Sequence, residues 1–293
     1  MKKKIIKLFK NPLSLIGLVL VLSFIGIGIS APWLAPPKYP SEPYRIPRDG
    51  WSSIPKAPGQ GHVFGTTEGQ YDIFYGVIWG TRTAFRVSLL VVGLSSVIGV
   101  FIGTLAAFYG GAIDEVLMRI VDVFYSIPYL VAAMVLTAVL GRGLNNAMIA
   151  LIAFGWMAYA RLIRGNILSV KEEEYVSAAD AVGAGDFRIL SRHILPNSIF
   201  PVLIQASMNM GTIVIAAATL SFLGVGAPTG YADWGQMISF ARNWILGTSG
   251  SPFQYWYTVV IPGIAITFFC LSWNLIGDAF RDIMDPKMQG GGV

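Results

Sequence analysis

The residues able to do metal or nucleophilic chemistry are few and scattered. His62 and His193 are the only histidines, they lie far apart, and neither sits in a metal-ligand spacing. Cys270 is the single cysteine, which excludes an intrachain disulfide and any cysteine-based metal centre. No GxxxxGK[ST] sequence occurs, so the chain has no P-loop to cradle a nucleotide phosphate. No catalytic residue is expected. The informative polar groups are instead those inside apolar stretches. Gln205, Asn209, Thr212 and Thr219 follow one another in steps of four, three and seven, which puts them on one face of a helix. Two readings stay open: a polar wall along a translocation path, or hydrogen bonds that hold neighbouring helices together.

A second stretch, Glu172 to Pro201, is too polar to sit in lipid, yet apolar segments flank it. Glu172, Glu173 and Glu174 open it, as suits the positive end of a helix. Tyr175, Ala178, Ala179 and Val182 then form an apolar stripe at helical spacing, with Ser177 beside it. Gly183 and Gly185 break the pattern. Asp186 is the expected N-cap of a second short helix, with Phe187, Leu190 and Ile194 on one face and Arg188 and Arg192 off it. Pro196 and Pro201 end that helix and restart the chain. Again two readings stay open: amphipathic helices resting on a bilayer surface, or a plug for a soluble partner.

The elements that must position these groups follow from composition. Of 293 residues 54% are hydrophobic and only 13% charged, against roughly 25% charged in soluble domains. Mean hydropathy is +0.62. This describes an all-α membrane protein in contact with lipid. The net charge of +5 implies no nucleic-acid partner. Residues 1–12 are a basic amphipathic stretch with Lys2, Lys3, Lys4, Lys7 and Lys10, which places the N-terminus in the cytoplasm. Residues 13–33 form the first span, uncleaved because Pro32 is poor for signal-peptide cleavage. Residues 34–80, rich in proline and glycine, are expected outside the cell with little regular structure, packed on the membrane domain.

Residues 81–280 form a five-helix core that includes the loop 172–201. The second span runs from about Thr83 to Tyr109, with a small-residue ridge of Ser95, Gly99, Gly103 and Ala107 for close helix approach. Gly110 and Gly111 turn the chain into a short cytoplasmic connection marked by Asp114, Glu115 and Arg119. The third span ends near Leu140 and can kink at Pro128. Asp122, near its inner end, pairs with Arg119 or bonds a neighbouring helix. The fourth span covers Ala147 to about Tyr159, with Arg161 and Arg164 at the inner surface. The fifth runs from about Val202 to Gly226, an outer loop covers 229–254, and the sixth span reaches from Tyr255 to Leu275. Residues 281–293 are a cytoplasmic tail whose Gly290 to Gly292 read as disordered. Both termini and the loop are therefore expected in the cytoplasm of a multi-pass protein.

The motifs carry a resemblance. Ser177-Ala178-Ala179, Gly183 and Ile194-Leu195-Pro196 resemble the "EAA" loop of ABC importer permeases, with Ser177 where that pattern has Glu. His62-Val63-Phe64-Gly65-Thr66 through Tyr71-Asp72 to Gly80-Thr81-Arg82 is similar to the signature of the dipeptide, oligopeptide and nickel branch, with Thr67 where an acid is usual. Arg82 and Arg86 could equally be snorkelling residues at a span edge. The stretch 221–228 resembles that family's SFLGLG turn, and Asn274, Gly277, Asp278, Arg281, Asp282 and Asp285-Pro286 resemble its ending.

The resemblance implies the type I ABC importer permease fold: six transmembrane helices with a cytoplasmic coupling helix, in the C-type subunit. It implies a cell-membrane (inner membrane) permease that pairs with a homologous second permease, two ATP-binding subunits and an extracytoplasmic substrate-binding protein. ATP and Mg would sit on the ATPase partners, with no cofactor on this chain. The coupling surface would comprise Glu174, Tyr175, Ser177, Ala178, Ala179, Gly183, Asp186 and Phe187. The substrate expected is a di- or oligopeptide; nickel or an oligosaccharide is the alternative within the branch. From other classes, an ion-coupled secondary transporter or channel, or a purely structural assembly subunit, remains open.

Overall fold

The computed structural model describes residues 11–59, 61–245, 251 and 253–284. The basic stretch at residues 1–10 and the tail at 285–293, with its glycine run and Asp285-Pro286, lie outside the described residues. Among the described residues the chain is helical, with isolated β-bridges but no strand.

Helix α1, Pro12–Leu34, starts where Asn11 accepts from the Leu13 backbone N–H and Pro12 fits the first turn. Ser14, Gly17, Val21, Phe24, Gly28 and Ala31 recur at steps of three and four and are buried. Leu13, Leu15, Ile16, Val19 and Leu22 on the other faces are exposed. Such a helix packs by one stripe and gives the rest to lipid.

Helix α2, Ile73–Tyr109, is longer than expected. Its 37 residues span about 55 Å at 1.5 Å per residue, well beyond a bilayer core of about 30 Å. Residues 73–80, expected as irregular chain, are its first two turns. Asp72 caps them, accepting from the Tyr75 N–H at 2.7 Å, and His62 Nδ1 lies 2.7 Å from the other carboxylate oxygen. Gly76 and Gly80 do not break this helix. They admit Met237 and Trp234, whose side-chain atoms a Cβ would meet at 2.7 and 2.5 Å.

Gly110 and Gly111 turn the chain at φ +66 and +51. The expected short connection is then a helix, α3, Gly111–Tyr125. A break at Ser126–Pro128 bends the chain by 84° into α4, Tyr129–Leu140. Pro128, the N-cap of α4, has no N–H to continue the α3 ladder, so the expected third span is two helices and not one. Arg119 faces Glu115 at 3.9 Å on the surface, and Asp122 pairs with Arg161 instead.

Helix α5, Leu144–Lys171, outruns its expected limits at both ends. Arg161 and Arg164 do not end it, because α3 supplies Asp122 at 2.5 Å and Asp114 at 2.6 Å in a two-pronged pair. Helices α6, Glu174–Ala181, and α7, Asp186–Ile189, follow. A π-helical turn, Leu190–Ile194, and α8, Leu195–Ser198, lead into α9, Phe200–Phe222. Within the expected outer loop, Asp233 caps a short helix α10, Trp234–Ser239, by accepting from the Gln236 N–H at 2.8 Å. Helix α11, Tyr257–Met284, runs past the expected end at Leu275 and carries the motif residues Asn274 to Asp282.

Five helices are long and apolar enough to cross a membrane, and α3 with α4 can form a sixth, bent crossing. The predicted ridge is the seam between α2 and α5. A Cβ on Gly99 or Gly103 would collide with the α5 backbone at Trp156 and Ala160, and Ser95 lies against Gly155. These matched positions make α2 and α5 parallel. Phe24 against Phe269 and Gly17 against Leu275 make α1 and α11 antiparallel. Asn11 bonds Asp282 at 3.4 Å, so the start of α1 and the end of α11 meet. One core runs along α2, α5 and α9, from Val87 and Leu220 through Leu151 to Ile163 and Ile167, and continues under the loop as Val176, Ile189 and Ile194. A second, aromatic core of Trp79, Trp234, Tyr257 and Phe269 anchors α10 and residues 35–72.

Candidate functional site

Two arrangements carry the functional groups. The first is the loop between α5 and α9. Its base is fixed: Lys171 Nζ donates to the Ala107 and Phe108 carbonyls at 3.2 Å, tying the end of α5 to the end of α2. Val176 faces the core and the chain leaves α6 through Gly183 at φ +79. The Ala184 N–H donates to Ala179 O at 3.1 Å and the Gly183 N–H to Asp180 O at 2.8 Å. That pair of bonds is the Schellman arrangement, which needs a left-handed residue at Gly183.

The predicted stripe splits. Tyr175, Ala178 and Val182 are exposed, Val182 at 84%. Ala179 turns half-inward against the core. Glu174, Ser177 and Gly183 are exposed beside them. Asp186 is not the N-cap: Gly185 holds that position in extended backbone, and Asp186 opens the first turn without a side-chain cap bond. Phe187, Leu190 and Ile194 do not share a face. Phe187 is 81% exposed while Ile194 is 1% exposed, and Ile189 joins the core in its place. The exchange of Phe187 for Ile189 lies within the single turn Asp186–Ile189, and the π-helical turn after it rotates Ile194 relative to both. Pro196 does not end the element; it sits in the first turn of α8.

The second arrangement is a cleft of about 310 Å³ between α2, the α3–α4 break, α5 and α9. Asn209 and Thr212 line it with Ser95, Tyr125, Tyr129 and Tyr159. Gln205 Nε2 donates to Asn209 Oδ1 and Asn209 Nδ2 donates to the Tyr159 hydroxyl, both at 2.9 Å. The two readings of this face thus meet in Asn209, which bonds a neighbouring helix and also borders the cleft. Thr219 does not join them; its hydroxyl bonds Ile215 O in its own helix at 2.8 Å. Sequence reasoning missed Ser95 as a polar group and Tyr129 and Tyr159 altogether. The signal for Ser95 was its place in the ridge, read there as small rather than polar.

No charged side chain is among the described residues lining the cleft. Among the described residues no three of His, Cys, Asp or Glu gather as they would around a metal ion. At the opposite end from the loop, Asp233 is buried beneath α10. Burial raises its carboxyl above the ordinary range, against the opposing hydrogen bonds from Gln236, Ser221 and Gly235.

A bundle of helices long and apolar enough to cross a membrane, with a braced loop at one end and a neutral cleft beside the α3–α4 break, marks a polytopic helical membrane protein. Residues 99–290 match the family described as binding-protein-dependent transport system inner membrane component. Residues 3–48 match the N-terminal TM domain of oligopeptide transport permease C. The chain belongs to this family and is a permease subunit of an ABC importer. It is similar to a dipeptide transport system permease protein of Alkalihalophilus pseudofirmus, 37% identical over 97% of this chain and 88% of that one. It is also similar to a probable D,D-dipeptide transport system permease protein of Escherichia coli K12, 38% identical over 96% and 89%. The fold is similar to that of the MetNI methionine ABC transporter, with TM-score 0.58 and 17% identity over 73% of this chain and 98% of that one.

Proposed function

We propose that this chain is the C-type permease of an ATP-driven importer of di- or oligopeptides. It pairs with a homologous second permease and two ATP-binding subunits, and it receives substrate from an extracytoplasmic binding protein. The relatives named for dipeptide and D,D-dipeptide transport support the substrate class. So does the uncharged cleft, since a divalent metal cargo would call for carboxylate or imidazole ligands.

Both termini and the loop 172–201 face the cytoplasm, and residues 34–72 face outward. The meeting of α1 and α11 supports placing both chain ends on one side. The loop docks on an ATP-binding subunit through Tyr175, Ala178, Val182, Gly183 and Phe187, with Glu174, Ser177 and Asp186 around them. The observation that carries this reading is the exposure of Val182 and Phe187 on a segment whose other face is locked into the core. Large exposed apolar side chains outside the spans mark a protein partner. Closure of the ATPases pushes α6, and α5 and α9 move with it because both ends of the loop are packed. The chemistry stays on the partners' ATP and Mg.

The test is affinity purification of the tagged chain from detergent-solubilised membranes, followed by ATPase and peptide-uptake assays after reconstitution. Recovery of a second permease and an ATP-hydrolysing subunit, with peptide-stimulated hydrolysis, is expected. A chain that elutes alone and transports on an ion gradient would contradict the reading.

A further inference from the structure

Buried hydroxyls in these helices are nearly all occupied. Ser88, Thr137 and Ser207 donate to carbonyls of their own helices at 2.6–2.7 Å. Ser95 is an exception. It is 2% exposed, and its Oγ has no partner among the described residues, not even a carbonyl one turn back. An unmet buried hydroxyl is costly and needs a reason. Its Oγ points at the face of α5 where Gly155 has no side chain. A Cβ there would lie 2.7 Å from Ser95 Oγ and 3.8 Å from the Tyr129 hydroxyl. Glycine thus lets the Ser95 hydroxyl close on α5 at the wall of the cleft.

The neighbouring donors are also uncommitted. The Tyr159 hydroxyl accepts from Asn209, and its own hydrogen has no acceptor among the described residues. Thr212, exposed on the cleft wall, shows no hydrogen bond there either. Hydroxyls both donate and accept. Three of them along a neutral wall suit a chain of alternating N–H and C=O groups and give no reason to prefer one charge over another. The volume, about 310 Å³, is at the small end of the range of about 300–1,000 Å³ typical of ligand pockets.

We propose that this cleft is a backbone subsite for the passing peptide. Ser95, Tyr159 and Thr212, which line it, hydrogen-bond its main-chain amides. The inference rests on the peptide reading above and adds where, and by which atoms, the peptide is held.

The experiment uses the complete reconstituted transporter with its binding protein. Uptake of trialanine is compared with uptake of trialanine methylated at the central amide nitrogen, for the wild type, Ser95→Ala and Tyr159→Phe. The binding protein is common to all three, so its own preference cancels in the ratio of ratios. Both variants are expected to lower trialanine uptake by about three- to tenfold and to shrink its advantage over the methylated peptide. Thermal stability separates this from a structural effect. Ser95→Ala removes a hydroxyl with no partner, so its melting midpoint should stay level or rise while uptake falls. Unchanged uptake and an unchanged ratio in Ser95→Ala and Tyr159→Phe would overturn the subsite while leaving the importer reading intact. If the wild-type complex imports neither peptide, the peptide reading itself falls and the subsite falls with it.

Discussion

Gly183 decides how the loop is presented. At φ +79 it is in the left-handed region, and its Schellman bonds direct the chain from α6 toward α7. No atom lies within 4 Å of where its Cβ would be, so a side chain there would meet only backbone strain and whatever docks. Asn and Asp both tolerate this conformation and are close in shape. Gly183→Asn should therefore keep uptake coupled to ATP hydrolysis, whereas Gly183→Asp, which places a charge in the docked surface, should hydrolyse ATP with little uptake. Measuring hydrolysis and uptake on the same proteoliposomes checks this; equal coupling in the two variants would count against a buried docking surface. The sequence made Gly183 and the outward Tyr175, Ala178 and Val182 legible, because a helical stripe and a glycine break are local signals. It did not reveal that Ala179 turns inward or that Phe187 and Ile194 part company. The rotation of Ile194 relative to Phe187 depends on the π-helical turn, which no residue spacing announces.

At the scale of elements, misjudged helix limits share one cause. Glycines and charges at those limits make tertiary contacts that a local reading does not see. Gly76 and Gly80 open α2 to Met237 and Trp234. Arg161 and Arg164 continue α5 because carboxylates from α3 meet them. Helix α10 was invisible because its six residues are too few for a periodic signal; it stands on the cap from Asp233 and on the buried Trp234. Asp233 gives α10 a pH dependence of defined sign. Its carboxyl is raised in the folded protein from the ordinary value of 3.8. Its stabilising contribution is therefore fully present below the unfolded value and is lost as pH rises through the folded one. The melting midpoint of the wild type relative to Asp233→Asn should fall as pH rises above the ordinary carboxyl value of 3.8. A difference that is flat or grows with pH would show that burial does not govern this carboxyl.

Over the whole molecule, parallel α2 and α5 frame one unit, braced to α3 by two ion pairs and tied to each other at the base of the loop by Lys171. The cleft lies beside the 84° break, where the third crossing is least regular. A push on α6 therefore has a packed route through α5 and α9 to the cleft wall, and this link is the centre of the account. The single cysteine helps to test it, since Cys270 is buried at 9% exposure. A photoactivatable thiol cross-linker would be attached to Ala178→Cys or Val182→Cys, with Trp51→Cys at the opposite end of the molecule as reference. Cross-linking in native membranes should join the first two to an ATP-binding subunit and leave the third unattached to it. An adduct with that subunit from Trp51→Cys, or none from either loop position, would contradict the docking surface and the route of force built on it.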